Sequence, residues 1–150
     1  MKRIYFAKSP KQTQRLGEDL AKEILKMQRP RRAAILALKG DLGGGKTTFL
    51  QGFAKGLGIK QKILSPTFVL IRKLKIPGQK SEFEYFYHID CYRVQKTREI
   101  SRLGFGDMIS DAGNIVAIEW GEKIKDILPR NIVRLNFSFI GKQTRKIIFN

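Results

Sequence analysis

Residues 39–50 read KGDLGGGKTTFL, four glycines, two lysines and two threonines set between an apolar run at 33–38 and a segment that follows at helical spacing. Glycine loses more backbone freedom on ordering than any other residue, so this concentration needs a cause. The spacing Gly40-x-x-x-x-Gly45-Lys46-Thr47 supplies one, because it is the phosphate-loop pattern. Such a loop wraps a phosphate chain with consecutive backbone N–H groups, at torsions and distances that a Cβ would obstruct. The helix behind it turns its unsatisfied N–H groups and positive dipole end toward the same anion. The expected nucleotide-contacting segment is therefore Asp41, Leu42, Gly43, Gly44, Gly45, Lys46, Thr47 and Thr48. Lys46 has the length to reach the β- and γ-phosphates, and the Thr47 hydroxyl can coordinate Mg²⁺.

The flanks agree with that reading. Residues 33–38, AAILAL, form a short apolar run ended by lysine and glycine, as a buried strand does. Beyond the loop, Phe49, Leu50, Phe53 and Leu57 share one helical face, and Gly56 and Gly58 end it. Upstream, Ser9 is placed as an N-cap, Pro10 at the first helical position and Gln12 at the capping-box position. Leu16, Leu20, Ile24 and Met27 then extend an amphipathic helix over about 10–27. Residues 2–6 read as a short edge strand. Residues 67–76 and 83–90, separated by the Pro77-Gly78 turn, read as a hairpin. A short helix is expected near 97–105, a buried strand at 114–120, and a C-terminal hairpin turning near Gly141. Strand, loop, helix and strand mixed this way predict an α/β fold: a P-loop NTPase-like three-layer sandwich, its mixed sheet parallel at the centre and antiparallel at the edges. With 150 residues the chain reads as one domain spanning 1–150, large enough to bury a core without staples.

A phosphate loop also needs a carboxylate at the end of a neighbouring strand for Mg²⁺ or its waters. Glu119 follows the apolar run 115–118, and Asp90 ends the strand at 85–90. Both are candidates, one for the metal shell and the other to orient the attacking water. Trp120, next to Glu119, could pack on the nucleotide or a partner. The chain lacks the Asn-Lys-x-Asp motif by which GTPases read guanine, so ATP is the expected nucleotide.

Composition narrows the rest. One cysteine, Cys91, and one histidine, His88, exclude an internal disulfide and a zinc site built from those residues alone. No apolar run approaches the ~20 residues of a membrane span, and the basic N-terminus has no signal-peptide core, so a cytoplasmic protein is expected. The net charge of +17 comes from 30 Lys and Arg against 13 Asp and Glu. It would attract nucleic acid, acidic proteins or nucleotide phosphates.

The segments GDLGGGKTTF (40–49), SPTF (65–68), HIDCYR (88–93), LGF (103–105) and IEW (118–120) stand in an order that resembles the TsaE family. These are small bacterial P-loop ATPases that assist tRNA threonylcarbamoyladenosine biosynthesis. The resemblance implies ATP with Mg²⁺ as cofactors and slow hydrolysis. It also implies action with TsaB and TsaD, which modify adenosine 37 of tRNAs reading ANN codons, so that tRNA is engaged indirectly. Matched by motif, Lys46 would bind phosphate, Thr47 Mg²⁺, Glu119 the metal shell or the chemistry, and Asp90 would be needed for turnover. Thr67 would lie in a switch-like loop near the γ-phosphate, and Thr13 on the adenine side. Gly44 departs from the family's usual alanine, and the high positive charge leaves two alternatives, direct contact with tRNA phosphates or more acidic protein partners. The alternatives are a small-molecule P-loop kinase and an ATP-regulated RNA-binding module.

Overall fold

The computed structural model describes residues 2–28, 30–64, 70–78 and 81–150. In chain order it runs β1 (Arg3–Ala7), α1 (Pro10–Lys26), β2 (Ala34–Gly40), α2 (Lys46–Gly56), β3 (Ile71–Lys75) and β4 (Tyr85–Asp90). There follow α3 (Thr97–Ser101), α4 (Phe105–Ser110), β5 (Asn114–Glu119), a 3-10 segment (Gly121–Ile127), β6 (Val133–Phe139) and β7 (Arg145–Phe149).

Among the described residues the strands form one seven-stranded sheet in the order β1-β7-β6-β2-β5-β4-β3. The β6-β2-β5-β4 centre is parallel, while β3 on one side and β7 with β1 on the other pair antiparallel. This is the expected α/β sandwich. Residue alternation builds its layers, since successive side chains on a strand face opposite ways. Leu36, Phe86, Ile115 and Leu135 join Leu20 and Ile24 of α1 and Phe49 and Phe53 of α2 in one core. Ile35, Ile89, Val116 and Ile118 join Ile100, Phe105 and Ile124 in the other. β5 lies buried on both faces along its whole length, as parallel strands do between helical layers. Each fully buried Leu, Ile or Phe in these layers stabilises the fold by roughly 1.5–3 kcal/mol relative to exposure.

Ser9 caps α1 by accepting from the Gln12 N–H at 3.2 Å. Gln12 Oε1 reaches one residue further back than a capping box would, accepting from Lys8 N–H at 2.7 Å. Helices α1 and α2 meet along glycines. A Cβ on Gly17 would lie 2.1 Å from the Phe49 carbonyl oxygen, and one on Gly52 would lie 1.8 Å from that of Gln14. Only hydrogen side chains permit so close an approach. The single helix expected near 97–105 is two, because α3 ends at Ser101 with Arg102 as its C-cap, and after a turn Gly104 at φ 88 is the N-cap of α4. No described helix is long and apolar enough to cross a membrane.

Candidate functional site

Three C-terminal strand ends meet at one edge of the sheet. β2 runs into the glycine loop, and parallel pairing sets Leu38 beside Glu119 and Glu119 beside Asp90. Residues far apart in sequence are thereby collected into one cavity of about 280 Å³. The loop from Leu42 to Thr48 lines it together with Leu70, Asp90, Tyr92, Arg93, Glu119 and Trp120.

Backbone requirements explain the glycines. Gly43 and Gly45 sit at φ 77 and 98, the left-handed region that a Cβ disfavours. A Cβ on Gly44 would meet the Asp41 carbonyl oxygen at 2.9 Å. Gly45 is the N-cap of α2 and provides no side chain, so the first turn of that helix is left uncapped toward the cavity. Such a cradle fits a phosphate group.

Lys46 is buried at 5% exposure. Its ammonium donates to the carbonyls of Gly40 and Asp41 and lies 4.1 Å from the centre of the Trp120 ring. Burial pushes its pKa below the ordinary lysine range, and the carboxylates of Glu119, Glu122, Asp90 and Asp41 oppose that shift without cancelling it. A lysine so placed is costly to bury and has two main-chain oxygens as partners; added anionic oxygens would relieve it. Trp120 holds φ 59, the one non-glycine residue at positive φ among those described. An αL backbone at a bulky residue costs of order 1–3 kcal/mol and collects at functional positions. Here it turns the chain out of β5 and lays the indole under Lys46, 5.1 Å from the Tyr92 ring.

Glu119 is the best anchored acid. The Thr47 hydroxyl, at the cavity, donates to its Oε1 at 3.2 Å, and the fully buried His88 donates from Nε2 to its Oε2 at 2.6 Å. A carboxylate only accepts, so Nε2 carries the hydrogen of that bond. His88 Nδ1 has no partner among the described residues. Asp90, largely buried, accepts from the Tyr92 N–H at 2.9 Å and lines the cavity beside Glu119. No group of three His, Cys, Asp or Glu side chains is arranged to hold a metal among the described residues. An ion here would take the Thr47 hydroxyl, one carboxylate and phosphate oxygens, a donor set that suits Mg²⁺.

Of the expected site residues, Leu42 to Thr48, Asp90, Glu119 and Trp120 are brought together in this cavity. Asp41 takes part through its main chain, its carbonyl accepting from Gly44 N–H and Lys46. Thr13 stands apart from that group, in a second cavity of about 320 Å³ lined also by Ser9, Gly43, Gly45, Thr48, Lys142 and Arg145. The two cavities share Gly43, Gly45 and Thr48, so they flank one loop. Thr67 lies outside the described residues. Sequence reasoning missed Lys142, Gln143 and Arg145, which reach the loop because β6 pairs with β2; nothing near them in the chain signals this. It also gave His88 no definite task, although an apolar strand carrying one histidine two residues before Asp90 was a usable cue.

A family model described as Threonylcarbamoyl adenosine biosynthesis protein TsaE matches residues 7–147. The tRNA threonylcarbamoyladenosine biosynthesis protein TsaE of Haemophilus influenzae is 34% identical over 125 residues, covering 83% of this chain and 75% of that one. The Bacillus subtilis protein of the same name is 36% identical over 118 residues, covering 77% and 68%. The crystal structure of Bacillus subtilis YdiB is similar with a TM-score of 0.76 at 27% identity, covering 99% of this chain and 84% of that one.

Proposed function

Because the chain belongs to the TsaE family, we propose that it is a Mg²⁺-dependent ATPase acting with TsaB and TsaD to form threonylcarbamoyladenosine at position 37 of tRNAs reading ANN codons. The contact between Thr47 Oγ1 and Glu119 Oε1 carries the reading. It joins the hydroxyl that opens α2 to the acid that ends β5, directly beneath the glycine loop.

The triphosphate is bound by the main-chain amides of Gly43 to Thr48, and Lys46 exchanges its carbonyl partners for phosphate oxygens. Adenine lies on the Thr13 side of the loop, where Lys142 and Arg145 stand at the rim. Thr47 and Glu119 hold Mg²⁺, which when bound neutralises charge on the phosphate oxygens. Asp90 orients the attacking water, and Thr67 senses the γ-phosphate. Arg93, which lines this cavity, is the candidate cation by motif; turnover stays slow until partners fix such a cation, a part that supplies ~10³–10⁵ in rate elsewhere. ATP turnover then resets the partner pair between modification cycles.

The test measures nucleotide affinity for the parent, Lys46→Ala and Thr47→Ala, then hydrolysis with and without TsaB and TsaD. Lys46→Ala is expected to lose at least tenfold in ATP affinity, and Thr47→Ala to lose the Mg²⁺ dependence of binding. Normal binding and hydrolysis by both variants would remove the site. Fast turnover indifferent to the partners would remove the resetting role.

A further inference from the structure

We propose that an arginine-lined cavity at the opposite end of the sheet from the glycine loop binds the phosphodiester backbone of RNA. The cavity measures about 840 Å³ and opens where β2 and β6 begin. It contacts β2 at its first residues, whereas the glycine loop follows the last. Arg31 and Arg32 lie before the seven-residue β2, which at ~3.3 Å per residue sets their backbone roughly 20 Å from the glycine loop, whereas Arg134, paired with Ala37, stands nearer to it.

Arg31, Arg32, Arg130 and Arg134 all line it, and among the described residues no aspartate or glutamate does. Arg31 and Arg32 precede β2, Arg130 precedes β6 and Arg134 is on β6, two groups about a hundred residues apart in sequence that make up one third of the twelve arginines in the chain. The ion pairs among the described residues include none of the four. Arg134 Nη1 donates to the Arg130 carbonyl at 3.0 Å, and the Arg134 main chain pairs with Asn150 through both N–H and C=O. Pro30 precedes one arginine pair and Pro129 precedes Arg130, and their fixed φ limits what ordering these loops would cost on binding.

The chemistry selects the ligand. A guanidinium offers a planar fork that matches two phosphate oxygens and gives up its water more readily than an ammonium does. Beneath the arginines the floor is apolar, with Ile24, Ile35 and Ile132, and suits sugar and base faces. A cluster of like charges without interspersed acids is stabilised by a ligand that brings a regular series of negative charges. The +17 net charge draws such a polyanion in from a distance. RNA is favoured over an acidic peptide by the tRNA pathway assigned above, and in that one respect the inference rests on the proposed function.

The experiment uses the full chain, a tRNA transcript and polyglutamate as probes, with fluorescence anisotropy between 50 and 200 mM salt. The variant R31Q/R130Q/R134Q changes exposed positions and is compared with K60Q/K62Q/K125Q, which removes the same charge elsewhere. The arginine triple is expected to lose at least tenfold in tRNA affinity and about two from the log–log salt slope, since each phosphate contact contributes ~0.7–0.9. R31Q alone should lose part of each. The lysine triple should change affinity less than threefold, and ATP affinity should be the same in all variants. Equal losses in both triples, or unaltered tRNA binding by the arginine triple, would overturn the proposal. So would loss of polyglutamate binding with tRNA binding intact, which would make the cavity a dock for an acidic protein segment. Loss of ATP binding in the parent would instead strike the proposed function.

Discussion

Replacing Gly52 by alanine should damage this protein, although alanine is the better helix former. In an unobstructed helix interior the exchange stabilises by about 1 kcal/mol. At position 52 the new methyl would lie 1.8 Å from the Gln14 carbonyl oxygen, 2.5 Å from its carbon and 2.6 Å from the Gln14 Cα. All three are backbone atoms of α1 and cannot swing aside. Ordinary contact begins near 3.4 Å, so α1 must withdraw from α2 by roughly 1.5 Å. Overpacking of this kind costs about 3 kcal/mol, at the upper end of the usual range. Setting the propensity gain against it leaves a loss of about 2 kcal/mol, a fall in Tm of roughly 4–8 °C for a domain of this size. Gly106 in α4 is the internal control, because a Cβ there meets nothing within 4 Å. Gly106→Ala should therefore raise Tm by ~1–3 °C. Thermal unfolding followed by circular dichroism reads both signs. The Gly52 variant should also bind nucleotide less tightly, because α1 carries Thr13, whose methyl lies 3.6 Å from the Cβ position of Gly45. A Gly52→Ala protein as stable as the parent would refute the steric argument.

Two further outcomes follow from the buried groups. Glu119→Gln keeps the shape and leaves its oxygen to accept from His88 Nε2–H, while its amide N–H₂ faces the Thr47 hydroxyl, which must turn from donor to acceptor, so both charge-assisted bonds and the anionic oxygens are lost. Steady-state assays should show hydrolysis reduced by ~10²-fold or more and weaker Mg²⁺ dependence, with stability lower by about 1–3 kcal/mol; unchanged turnover would exclude Glu119 from the chemistry. Cys91 is fully buried, and burial first, then the Asp90 and Glu122 charges, push its thiol from an ordinary 9.0 to about 12. A maleimide should leave it unlabelled at pH 8 in the folded protein and label it in urea. Between those two values the folded chain keeps a proton that the unfolded chain has lost, so this group makes the fold less stable as pH rises from about 9 toward 12. Denaturation midpoints across that range, compared with Cys91→Ala, isolate its contribution.

The sequence by itself determined whatever depends on neighbours within about ten residues. Glycines at 40, 43 and 45 require positive φ, apolar runs alternate or recur at helical spacing, and Ser9 with Pro10 opens α1. Those constraints are torsional and periodic, so the strand, loop and helix around Lys46, the edge hairpins and the acid ending β5 were readable before any packing was known. Only the tertiary structure decided which distant groups touch. That Thr47 meets Glu119 seventy-two positions away, that Glu119 is clasped by His88, that Arg145 comes round to the glycine loop, and that Arg31 and Arg130 line one cavity all follow from the strand order and register. Strand neighbours are chosen by the burial of whole faces and the cost of closing long loops, and those sums run over the entire chain. The same holds for Gly17 and Gly52, whose plain helical positions say nothing of the close approach between α1 and α2 until the two helices are packed.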